Sequence, residues 1–89
     1  MKPKKLDASK PSYPPLYESQ GLEADVVVEV QIDVRGEVTS VRVVTPSPHA
    51  EFDESAVAHA RKSRFSPATR DGAPVPWTLT YTVRFRLDE

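Results

Sequence analysis

Trp77, Leu79, Tyr81, Val83, Phe85 and Leu87 alternate without a break with Thr78, Thr80, Thr82, Arg84 and Arg86. A two-residue period of this length sets every apolar side chain on one face of an extended strand and every polar one on the other. One face is therefore core and the other is wet. Whatever covers the core face must come from a chain of only 89 residues, which is one small domain built of two layers.

A second alternation starts at Ala24. Val26, Val28, Val30, Ile32 and Val34 are β-branched aliphatics, and Glu29, Gln31 and Asp33 lie between them, with Val27 the exception. Arg35-Gly36-Glu37 follows, where Gly36 can take the positive φ of a short hairpin or a G1 bulge. Val38 to Val44 is the return strand. Val41 and Val43 share one face and Val38 and Val44 the other, a pattern that fits either a bulge or a strand covered on both sides. Pro46 and Pro48 end it.

The next segment, Phe52 to Phe65, reads as a helix with Asp53 as its N-cap, because a carboxylate there can accept from the unpaired amides of the first turn. Phe52, Ala56, Val57 and Ala60 gather on one side. Arg61, Lys62 and Arg64 crowd the last turn, where the helix dipole favours cations. Ser66-Pro67 terminates it, and an Asp71-Gly72 turn leads into the final strand. A crossover helix after the second strand brings the third back beside the first, giving the order 2-1-3 with the helix over the apolar face. The long last strand is then a sheet edge with half of its backbone groups unpaired, and a long open edge is either hidden or used.

Charge is distributed in blocks that the formal total of −1 conceals. Four lysines and Asp7 give residues 1–10 a charge of +3, residues 11–60 carry −7, and residues 61–86 carry +5. Residues 1–10 have the composition of a solvated, extended Lys/Pro-rich linker end, with the folded domain expected over 11–89. A Lys-Pro entry of this kind suggests the end of something longer.

Several chemistries are disfavoured. The chain has no cysteine, so neither a disulfide framework nor a cysteine metal site is available. It has no apolar run long enough for a membrane helix or signal peptide. His49, Glu51, Asp53 and His59 lack paired ligand spacing, and Ser47, His49 and Asp53 lack the setting of a nucleophile. The three glycines are too scattered for a phosphate loop. The chain does not read as an enzyme. The basic residues Arg61, Lys62, Arg64, Arg70, Arg84 and Arg86 do not read as a nucleic-acid surface either. The aromatics of the last strand fall on its core face, and the chain outside residues 1–10 is net acidic.

The ordered set Tyr13-Pro14, Asp33, Gly36, Val38, Phe52-Asp53, Arg64-Phe65, Pro67, Asp71-Gly72, Pro74-Val75 and Phe85-x-Leu87 resembles the C-terminal domain of TonB-type energy transducers over about residues 11–87. Lys10-Pro11 stands where the best-known members carry Gln-Pro, a position associated with receptor contact. Ala24-Asp25 replaces Gly-x, and Ser63 replaces a bulky aromatic.

The resemblance implies an α+β, two-layer fold: a three-stranded antiparallel sheet of order 2-1-3, a packed helix, and a short N-terminal helix around Pro15–Gln20. It further implies a periplasmic domain of an inner-membrane-anchored protein, with no cofactor. Such a domain grasps the TonB-box peptide of an outer-membrane transporter and passes on force from an ExbB/ExbD-like motor. A homodimer through paired edges is a further implied partner, and this chain itself inserts in no membrane. The alternative reading is a contact module borrowed by another envelope machine for motility, secretion or sensing.

Strand addition to an open edge fits this role. The expected grip is Thr78, Leu79, Thr80, Tyr81, Thr82, Val83, Arg84, Phe85 and Arg86, with Arg84 and Arg86 available to acidic flanking residues. Tyr13 and Pro14 would bracket the edge, with Lys10 at the receptor-contact position.

Overall fold

The computed structural model describes residues 1–6 and 10–87. Along the chain run α1 (Pro15–Ser19), β1 (Ala24–Ile32), β2 (Val38–Thr45), α2 (Ala50–Lys62), β3 (Ala68–Arg70), β4 (Ala73–Val75) and β5 (Trp77–Phe85). β2, β1 and β5 form an antiparallel sheet in that order, the 2-1-3 arrangement expected from the crossover. β3 and β4 pair separately as a small hairpin.

The inner sheet face is the alternating set. Ala24, Val26, Val28, Val30 and Ile32 of β1 are all buried. They are flanked in register by Phe85, Val83, Tyr81, Leu79 and Trp77 of β5. Val34 lies beyond the strand and is exposed, as is Leu87. The ambiguous second strand resolves into two irregularities. Val27 pairs with Thr45 but Val28 with Val43, and Gln31 pairs with Ser40 but Ile32 with Val38. Val44 and Thr39 are therefore extra residues in β2. The Thr39 bulge shifts the side-chain parity, so that Val38 faces inward along with Val41 and Val43 against Ile32, Val30 and Val28.

Three local readings need correction. The helix spans Ala50–Lys62 and not Phe52–Phe65. Its N-cap position is His49, and the Asp53 carboxylate turns back to accept the Ser47 N–H at 2.7 Å. The helix stops early because Ser63 is extended, which frees Arg64 and Phe65 to bridge to Glu37 and Lys5 on either side. Asp71-Gly72 is the turn of the β3–β4 hairpin, both residues having positive φ (54° and 81°) as a two-residue type I′ connection requires.

Residues 1–6 also depart from the solvated chain that their composition suggests. They run antiparallel to residues 64–69 as a strap: Leu6 N–H donates to Arg64 O at 2.8 Å, Ser66 N–H to Lys4 O at 2.8 Å and Thr69 N–H to Met1 O at 2.9 Å. Pro3, in the middle of this strap, is buried.

The β1–β2 turn is held by one carboxylate. Asp33 Oδ1 accepts from the N–H groups of Arg35 and Glu37, both at 2.9 Å. The Glu37 bond foremost, with the Arg35 amide and the nearby guanidinium groups, holds the Asp33 carboxyl below its ordinary value of 3.8 despite some opposing desolvation. A depressed carboxylate stabilises the fold at pH values above its unfolded pKa. That contribution fades as pH falls through 3.8 toward the lower folded value. Asp33→Asn is expected to flatten this part of the acid limb. The check is the urea midpoint of both proteins measured from pH 6 to pH 2.

Candidate strand-docking edge

Main-chain N–H and C=O groups alternate in direction along a strand. Just past β1, Asp33 N–H donates to Glu37 O on the β2 side at 2.9 Å, and Gln31 O accepts from Thr39 Oγ1 of β2 at 3.2 Å. The odd residues of β1 thus address β2, and its even residues address β5. Because Val26, Val28 and Val30 face Val83, Tyr81 and Leu79 in register, the odd residues of β5 spend their backbone groups on β1. The N–H and C=O groups of Thr78, Thr80, Thr82 and Arg84 consequently point away from the sheet. No other strand among the described residues pairs along this side.

The two sheet edges differ in quality. β5 keeps an unbroken register with β1 for nine residue pairs, so its outward donors and acceptors form a straight, evenly spaced row. β2 is interrupted twice by its bulges, a device that blunts an edge against pairing.

The far end of β5 is clamped. Arg86 Nη2 lies 2.7 Å from Asp25 Oδ1, and Arg86 Nη1 donates to Ala24 O and Phe85 O at 3.3 and 3.1 Å. Leu87 N–H donates to Glu23 Oε2 at 2.9 Å. Arg86 is therefore committed within the domain and is not the available cation that the sequence suggested. Arg84, in register with Asp25, is exposed on the outer face.

The residues expected to bracket the edge are dispersed. Tyr13 is half-buried, in edge contact with Phe52 and Phe85, each at 5.7 Å between ring centroids. Its hydroxyl donates to Leu22 O. Burial above all, with Glu23 and Glu18 nearby, pushes its phenol above the ordinary value. It meets β5 at the buried side chain of Phe85. Lys10 and Pro14 line a groove along α2 with Glu54, Ala58 and His59. Thr78, Leu79, Thr80, Tyr81, Thr82, Val83, Arg84, Phe85 and Arg86 do form one continuous stretch of chain. Leu79 and Tyr81 are half-buried on its inner side, and Val83 and Phe85 are fully buried.

Sequence reasoning missed Tyr17. Its hydroxyl donates to the Glu51 carboxylate, which raises the phenol's pKa, and its ring lies 4.9 Å from Phe52 and 4.8 Å from His49. The signal was the Tyr-x-x-x-Tyr spacing of Tyr13 and Tyr17 across the start of α1.

The family model for the Gram-negative bacterial TonB protein C-terminal matches residues 9–87. The chain belongs to the TonB C-terminal family. Protein TonB of Vibrio cholerae serotype O1 is 30% identical over 79 residues, covering 89% of this chain and 32% of that protein. Protein TonB of Yersinia enterocolitica is 38% identical over 63 residues, covering 71% of this chain and 25% of that protein. The chain thus spans a third or less of the length of these two TonB proteins. The solution structure of the Pseudomonas aeruginosa TonB C-terminal domain superposes with a TM-score of 0.74 at 29% identity, covering 98% of this chain and 88% of that one. The TonB-type fold accounts for the sheet order, α2 and the short α1.

Proposed function

We propose that this domain captures an extended peptide as a fourth strand along β5, and that in the whole protein it couples an outer-membrane transporter to a proton-driven inner-membrane motor. The observation that carries this reading is the straight row of outward backbone groups at Thr78, Thr80, Thr82 and Arg84. It stands beside a second edge that two bulges make unsuitable. Membership of the TonB C-terminal family supports the transporter's TonB box as the peptide, an ExbB/ExbD-like motor as the source of force, and the periplasm as the compartment. Among the described residues no helix is long and apolar enough to cross a membrane.

Main-chain pairing suits this task. It demands little sequence information, so one domain can serve several transporters. A row of bonds loaded along the strand shares the force, and the Arg86–Asp25 and Leu87–Glu23 contacts fasten the same strand to β1. The domain acts here as a binding and force-bearing part, not a catalyst.

The test is a titration with TonB-box-like peptides followed by backbone amide shifts. Thr78, Thr80, Thr82 and Arg84 are expected to move first. Thr80→Pro or Thr82→Pro removes an outward donor and puts a ring in the docking lane, while leaving the β1 ladder intact. Either is expected to weaken binding at least about tenfold with an unchanged far-UV spectrum. Thr80→Val keeps the donor and should bind nearly as well. If these amides stay still at millimolar peptide, edge capture of such peptides is wrong.

A further inference from the structure

The inner layer over the sheet has two parts. α2 packs on β1 and β2. At Tyr81 of β5 the cover is instead built on Arg64-Phe65, whereas Phe85, further along the strand, lies under Phe52 and Tyr13. On one side of this segment Phe65 N–H donates to Gly36 O at 3.0 Å; on the other, Lys5 bridges to Phe65. The order is therefore hairpin, Arg64-Phe65, strap, and the strap is the outermost member. Phe65 lies 6.1 Å from the Tyr81 ring. The Lys5 ammonium lies 5.9 Å from the centroid of the same ring. Lys2 and Lys4 belong to the same segment, so the strap is basic.

We infer that residues 1–6 form the inner wall of the β5 edge, and that Lys5 selects an acidic side chain at the captured strand's inner-facing position opposite Tyr81. This inference rests on the proposed strand capture. Tyr81 is the position at which a wall residue has most effect. Its backbone groups are turned toward β1, so a residue opposite it on a fourth strand makes a non-hydrogen-bonded pair, the kind in which side chains approach closest. That side chain emerges on the inner face beside the Tyr81 ring, where the Lys5 ammonium already lies. No carboxylate among the described residues forms an ion pair with Lys5, and an ammonium held over a ring keeps its charge available to a second partner. The captured strand would run between this basic wall on the inner face and Arg84 on the outer.

The experiment uses the whole 89-residue chain, labelled for amide spectroscopy. The peptides are a matched set carrying Glu or Lys at each inner-facing position in turn. The wild type is expected to prefer Glu over Lys about threefold to fivefold at one position. Lys5→Glu should reverse that preference, and Lys5→Gln should abolish it without reversal. Amide exchange of Leu6, Ser66 and Thr69 reports in every variant whether the strap is seated. Equal preferences in the wild type and Lys5→Glu would overturn the inference, as would unprotected Ser66 and Thr69 amides in the wild type. Peptides that leave Thr78–Arg84 unmoved would instead overturn strand capture itself, whatever the strap amides show.

Discussion

Gly36→Ala is expected to cost this domain about 3–5 kcal/mol, enough to unfold much of it at room temperature. Two effects add. Gly36 has φ +84°, where any Cβ carries a penalty of about 1–2 kcal/mol. That Cβ would also stand 1.9 Å from the carbonyl oxygen of Phe65 and 3.0 Å from its carbonyl carbon. Both are main-chain atoms, so no rotamer change relieves the overlap and the Phe65 segment has to move. Movement breaks the Phe65 N–H to Gly36 O bond and lifts Phe65, only 2% exposed, out of the core. Gly72 is the control. It has φ +81°, and a methyl group added there would meet nothing within 4 Å, so Gly72→Ala should cost only the backbone penalty of about 1–2 kcal/mol. Urea unfolding separates the two, because at about 1 kcal/mol per molar for a chain this small the Gly36 variant should lose roughly 1.5-fold to fivefold more in midpoint. Equal midpoints would mean that the Phe65 segment yields freely.

Phe52→Ala is the second large effect, at about 3–5 kcal/mol. Phe52 is 0% exposed and lies on the first turn of α2, where its ring contacts Phe85 at 4.8 Å, Tyr17 at 4.9 Å and Tyr13 at 5.7 Å. One side chain thereby joins the helix, the N-terminal approach and the clamped end of β5. Its removal opens a cavity bounded by rings that cannot collapse without moving two other elements. The near-UV signal of the tyrosines should fall with the stability, while Trp77, at the opposite end of β5, should keep its fluorescence in the fraction that remains folded. A loss under about 1 kcal/mol would show that Tyr13 and Tyr17 close the gap unaided.

The parts of the fold that were legible in the chain are those in which local period and burial agree. The even residues of β1 and the odd residues of β5 declared their inner faces, and the edge position of β5 followed from the crossover. The short helix α1 was expected only through the family resemblance that Tyr13-Pro14 helped to carry, and Tyr17 on its first turn went unread. Legibility failed where a residue's role depends on a distant backbone. Asp53 looks like a cap, but Ser47 N–H claims it. Arg86 looks available, but Asp25, far away in sequence, takes it. The β3–β4 strands are too short to show a period, and one contains Pro74. Met1–Leu6 reads as linker because lysine and proline carry no apolar pattern, yet its docking is mostly main-chain pairing, to which composition is blind.

The contrast between the straight and the bulged edge also limits how copies of this domain can assemble. Indefinite growth needs two competent faces on each unit, so that every addition exposes a fresh site. Of the two edges of the three-stranded sheet, β5 offers a regular ladder, and the bulges at Thr39 and Val44 deprive β2 of one. Two copies meeting through β5 would use up both regular edges at once. Self-association would therefore stop at a pair, and one side of the domain can remain sticky without seeding a fibre.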